Sequence, residues 1–132
     1  MIVLDASATV DLLLASQRGR HVIARLRGAD GSLQAPHLLS VEVAHALRRL
    51  VAERTIGVAR GELALRTLGH LRIHRWAHEP LLGRMWQLRH SVSSYDACYV
   101  ALAEALDATL LTADGRLARS SGHQARIELV ND

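Results

Sequence analysis

Five short apolar runs, at residues 2–4, 33–35, 71–76, 109–112 and 127–130, alternate along this chain with segments of helical periodicity. No other feature restricts the fold as much. Strands separated by helices are joined by crossovers and lie parallel, and a parallel sheet needs helices on both faces to bury it. In "LLSVEVAHALRRLVAER", Leu39, Val43, Leu47 and Leu50 recur at helical spacing, with arginines clustered on the other face. "YDACYVALAEAL" continues the pattern over 95–106, and "ASATVDLLLA", "ARGELALRTLGHL" and "PLLGRMWQLRH" supply three more helices. At 132 residues, the expectation is a single α/β domain over 1–132, with short loops such as "RGADGS" and no internal repeat.

Charge narrows the chemistry. All 16 basic residues are arginines. Without lysine there is no Walker-type phosphate loop, no Schiff-base or general-base lysine, and no lysine beside the acidic pocket of a response-regulator receiver. A formal net charge of +3 favours an anionic partner such as nucleic acid. Aromatic residues are only 3%, too few for reading single strands mainly by stacking, so contacts to the phosphate backbone are expected. The apolar runs are short and broken by acids, and the first residues lack a signal peptide's basic region and long apolar core. A lone cysteine, Cys98, sits in an apolar helical run and reads as a small core residue. Together these predict a cytoplasmic protein with no membrane partner.

The acids carry the functional signal. Crossover helices run antiparallel to the strands, so helix N-termini and strand C-termini share the edge where α/β sheets bind ligands. Asp5 ends the first strand, Glu42 is early in the helix after the second, Asp96 opens the helix before the fourth, and Asp114 follows that strand by two residues. Asp5 and Asp114 could equally cap the helices that follow them, and Ser93 with Asp96 fits a capping box. Glu42 is too deep in its helix to cap, and its apolar neighbours in "SVEVA" predict burial, which is costly for a carboxylate without a cation or donor. Four acids without histidine or cysteine suit a hard cation, Mg²⁺ or Mn²⁺. Such an ion binds a phosphodiester oxygen, lowers the pKa of a bound water and steadies the leaving oxyanion. On this reading Asp5 is a metal ligand, and the four carboxylates line one pocket.

"MIVLDASATV", the glutamate of "SVEVAHALRRL", "YDACYVALAEAL" and "LLTADGRLA" resemble, in order and over essentially the whole chain, the PIN-domain nucleases, most closely the VapC toxins of bacterial type II toxin–antitoxin pairs. The resemblance implies a PIN-like three-layer fold, a five-stranded parallel sheet flanked by helices. It implies Mg²⁺-dependent endoribonucleolytic cleavage, with a metal-activated water hydrolysing the RNA phosphodiester. Asp5 and Asp96 would be the principal metal ligands, and Glu42 and Asp114 would complete the catalytic acids. Ser7 and Thr112 match positions that are commonly small and hydroxylated there, supporting the ligands. It further implies a homodimer and a cognate VapB-type antitoxin. Many relatives carry one more acid shortly after the position of Asp114; here those positions are Gly115, Arg116 and Leu117, which predicts that any second metal is weakly held.

Other constellations carry less. His70, His74 and His78 recur every four residues, but "RIHRWA" reads as a strand, which breaks the helical spacing a chelating trio needs. Trp76 and Trp86 read as core or interface anchors, Arg116 and Arg119 either as phosphate holders or as a solvated pair, and Asp30, Glu53 and Glu79 as solvated acids. Two rival functions share the pattern. A haloacid-dehalogenase-like phosphatase also ends its first strand on aspartate, but it wants a second aspartate where this chain has Ser7. A catalytically inactive PIN-fold binding module would keep the fold without needing all four acids.

Overall fold

A computed structural model describes residues 1–29 and 31–131, so Asp30 lies outside the described residues. The strands are β1 (Ile2–Leu4), β2 (Leu33–Pro36), β3 (Ile73–Trp76), β4 (Thr109–Thr112) and β5 (Arg126–Leu129). They form one sheet in the order β3-β2-β1-β4-β5, every pairing parallel. The connections carry α1 (Ala6–Leu14), α2 (Gln17–Arg27), α3 (Leu38–Ala52), α4 (Val58–His70), α5 (Leu82–Gln87), α6 (Ser94–Leu106) and α7 (Gly115–Ala118), with a 3₁₀ turn at Glu79–Leu81. This is the expected three-layer arrangement.

Period-two alternation sorts the core. Val3, Ala35 and Leu110 face a large cluster with Leu39, Val43 and Leu47 of α3, Leu68 of α4 and the length of α6. Ile2, Leu4 and Leu111 face a smaller cluster with Ala8, Val22 and Val130. In α6, residues 97–103 are all buried, so it lacks the one-sided apolar stripe of a surface helix. That explains its nearly continuous apolar sequence and fixes its first turn against the sheet.

From β1 the chain moves outward through β2 to β3, then crosses back to β4 on the other side. Strand order therefore reverses between β1 and β4, and the crevice beyond their C-terminal ends is where such sheets bind ligands.

The structure differs from the sequence reading in places. Helix α2 was not anticipated: its arginines and Gly19 obscured the spacing of Val22 and Leu26. The fifth strand begins one residue earlier than expected. "PLLGRMWQLRH" divides into the 3₁₀ turn and α5. Trp86 is 68% exposed and Trp76 also faces solvent, so neither is a core anchor. Trp86 instead carries the Arg89 guanidinium 4.7 Å from its ring centre, and Trp76 Nε1 donates to Gln34 Oε1 at 2.7 Å.

Candidate active site

Asp5 occupies the reversal point. The β1–α1 turn gives it extended backbone as the N-cap of α1, and its Oδ1 accepts from the Ala8 N–H at 2.9 Å and from Ser7 Oγ at 2.7 Å. Thr112, the last residue of the adjacent β4, donates its hydroxyl to the other oxygen, Oδ2. The same hydroxyls join the two loops: Ser7 Oγ accepts from the Ala113 N–H at 2.9 Å, and Thr112 Oγ1 from the Asp114 N–H at 3.0 Å. Ser7 and Thr112 thus hold Asp5 and register the β1–α1 turn against the β4–α7 turn.

Asp5 is only 5% exposed. Burial pushes its pKa from 3.8 up to about 6, even though Ala8, Thr112 and Ser7 donate to it; the nearby Asp96 charge raises it further. Asp96 sits in the first turn of α6, where Ser93 Oγ accepts from its backbone N–H at 3.2 Å. Its pKa is also raised, first by burial and then by Asp114. Glu42, one turn into α3, is half-buried rather than buried, and its neighbour Val41, read as part of a buried stretch, is 68% exposed. Burial raises Glu42 as well, opposed by a hydrogen bond from Tyr99 and reinforced by Asp96. Asp114 caps α7, accepting from the Arg116 N–H at 2.9 Å.

Asp96 is therefore the electrostatic hub: Asp5 and Glu42 both feel its charge, and it feels that of Asp114. Capping and clustering coexist, since Asp5 and Asp114 do both with the same carboxylate. The four carboxylates stand at one sheet edge. Asp96 and Asp114 line a cleft of about 250 Å³ with Ser91, Ser93, Arg116 and Ser120. Glu42 lines a groove of about 520 Å³ with Leu38, His45, Arg49 and Tyr95, and Asp5 is buried.

Among the described residues no three acidic, histidine or cysteine side chains converge as a ready-made metal cage. The donor set nonetheless suits a hard cation. Among the described residues none of the four acids is in a salt bridge, and three of them are held above their ordinary pKa. Mutually repelling carboxylate oxygens are what a divalent oxygen-seeking ion relieves.

The remaining candidates fall outside this cluster. Arg116 is exposed but close enough to favour the Asp96 anion; Arg119 is exposed. The three histidines lie on different elements, and His78 Nε2 accepts from the Leu38 N–H at 2.9 Å, capping α3. Cys98 is buried, and burial pushes its thiol up to about 11, so it is inert. Sequence reasoning missed Tyr99, whose hydroxyl donates to Glu42 Oε1 at 2.7 Å. Its signal was the position three residues after Asp96, on the same face of α6.

Comparison with known proteins gives the family and the fold. A family model described as the PIN domain matches residues 2–122. Ribonuclease VapC12 of Mycobacterium tuberculosis is 45% identical over 130 residues, 98% of this chain and 99% of that protein. Among solved structures, the sarcin–ricin-loop-cleaving toxin VapC20 of M. tuberculosis superposes with a TM-score of 0.71 at 17% identity, covering 94% of this chain and 97% of that one. A toxin–antitoxin complex from Klebsiella pneumoniae gives 0.72 at 14% identity, covering 100% and 99%. At such identities these two speak for the fold alone.

Proposed function

The chain belongs to the PIN-domain family and, within it, to the VapC ribonucleases, and from that premise we propose that it is the toxin of a type II toxin–antitoxin pair, hydrolysing RNA phosphodiester bonds with Mg²⁺ bound at the β1/β4 crevice. The observation that carries this reading is the group of carboxylates at that crevice that raise one another's pKa, with none of the four in a salt bridge among the described residues. Asp5 and Asp96 would hold the ion, Mn²⁺ being an alternative. When bound, it supplies positive charge to a phosphodiester oxygen and makes water a stronger acid.

The chain's own groups do the rest. Ser7, Thr112 and the Ala8 N–H fix both oxygens of Asp5, so this ligand is held before any ion arrives. Glu42 Oε1 is engaged by Tyr99, which leaves Oε2 without a protein partner among the described residues and free to accept a proton. A raised pKa suits that role, because a general base works best when its pKa approaches the operating pH. Asp114 supplies further negative charge beside Asp96, and Arg116 in the same cleft offers a guanidinium to a flanking phosphate. The family pattern further supports a homodimer, neutralised in the cytoplasm by a VapB-type antitoxin.

Asp96→Asn tests this directly. It keeps the side chain's size and one acceptor oxygen but removes the charge at the hub. RNA cleavage is expected to fall on the order of 10²-fold or more, and the Mg²⁺-induced rise in melting temperature should disappear. Glu53→Gln is the control: Glu53 is exposed and only 4.0 Å from Arg49, outside the cluster. Near-parent cleavage by Asp96→Asn would reduce Asp96 to the helix-capping role.

A further inference from the structure

Tyr99 is 1% exposed, and its hydroxyl makes a 2.7 Å hydrogen bond to Glu42 Oε1 across the boundary between α6 and α3. Packing alone does not require that hydroxyl. The residues flanking it on α6, Ala97, Cys98, Val100 and Leu102, are all buried, and phenylalanine would fill the same volume. A buried tyrosine hydroxyl needs a partner, and many backbone carbonyls could serve. Here it meets an acid at the sheet edge, 57 residues away in sequence.

The geometry has a consequence for the site. A buried ring has one position, whereas a half-buried glutamate has three side-chain torsions to settle. The hydroxyl is a fixed point that selects one arrangement of Glu42. That fixed point belongs to the helix that carries Asp96, three residues earlier and on the same face. We infer that Tyr99 is a positioning residue for catalysis, locking Glu42 Oε1 so that Oε2 stands in register with Asp96. The inference rests on the ribonuclease reading and assigns within it a residue that touches neither ion nor RNA.

The experiment measures RNA cleavage and thermal melting for the parent, Tyr99→Phe, Glu42→Gln and the double variant. Tyr99→Phe is expected to lower kcat by up to about 100-fold, the scale of a misplacement near 1 Å, with KM for RNA unchanged. On the Glu42→Gln background the same change should cost less than about 2-fold, because both act through one carboxylate. Parent-level kcat in Tyr99→Phe, or a loss that repeats in full without Glu42, overturns the assignment. If Tyr99→Phe melts below the assay temperature, Glu42→Asp takes its place: it withdraws the carboxylate from the hydroxyl by one methylene and leaves Tyr99 intact. It should then show the kcat loss, and full activity in it overturns the assignment too. A parent protein that does not cut RNA removes the ribonuclease reading itself; a parent that cuts with an unaffected Tyr99→Phe removes only Tyr99.

Discussion

Asp5 does two jobs with one carboxylate, and its pKa shows which dominates. Three donors favour its anion, yet burial and Asp96 win, raising it from 3.8 to about 6. The folded state therefore disfavours the charged form. In the metal-free protein this cost is fully present above about pH 6 and gone below about pH 4. A shift of about 2 units corresponds to about 3 kcal/mol. Acidifying from pH 7.5 to pH 5 should thus stabilise the metal-free chain, and Asp5→Asn should abolish much of that gain, as read by thermal melting in chelator. The raised pKa values of Glu42 and Asp96 act in the same direction. By the same linkage, Mg²⁺ should raise the melting temperature more at pH 7.5 than at pH 5, where protons already neutralise its ligands. A stability that falls on mild acidification, with Asp5→Asn unchanged, would contradict the raised carboxylate pKa values.

The elements hold the acids in place through a few close contacts. Helices α1 and α2 cross where Gly19 meets Asp11: a Cβ there would lie 1.9 Å from the Asp11 carbonyl oxygen, which is backbone and cannot yield. Gly19→Ala must push α2 away from α1, the helix that Asp5 caps, and is expected to cost about 1–3 kcal/mol. Gly69 gives the contrast. It lies within α4 with nothing inside 4 Å of its would-be Cβ, so Gly69→Ala should stabilise by about 0.5–1 kcal/mol through helix propensity. Urea denaturation of both variants reads the difference; equal effects would mean the crossing is looser than described. Helix α2 also shows why some elements escape sequence reading. Its low mean hydropathy comes from four arginines spread around the helix, and only Gly19 and Val22 are buried, too few to stand out before the crossing is known.

At the scale of the whole molecule, strand order decides the site. Because β1 and β4 are neighbours, Asp5 and Asp114, separated by more than a hundred residues, end adjacent strands. Helices α3 and α6 then bring Glu42 and Asp96 to the same edge, close enough for the Asp96 charge to raise the Glu42 pKa. No helix among the described residues is long and apolar enough to cross a membrane. The proposed assembly predicts a symmetric dimer by light scattering at micromolar concentration and a larger complex on co-expression with the antitoxin. A strictly monomeric chain that ignores the antitoxin would remove the assembly and leave the acid cluster to be judged on its own.

The sequence by itself determined the layers, the direction of the strands and the edge on which the acids fall. Each follows from local signals: apolar runs of strand length, helical periodicity, and the rule that parallel strands return through antiparallel helices. "TLLT" was legible as β4 and "YDACYVALAEAL" as a helix because their apolar patterns need no partner to be recognised. Ser7 and Thr112 were legible only through resemblance, since their spacing from Asp5, 2 and 107 residues, carries no local pattern. Only the tertiary structure decided that Asp5 is buried, that Glu42 is half-buried, and that the Tyr99 hydroxyl donates to it. Those facts depend on how the helices and the sheet pack against each other. Packing sums many weak contacts between residues far apart in the chain, and periodicity, which reports one element at a time, does not contain it.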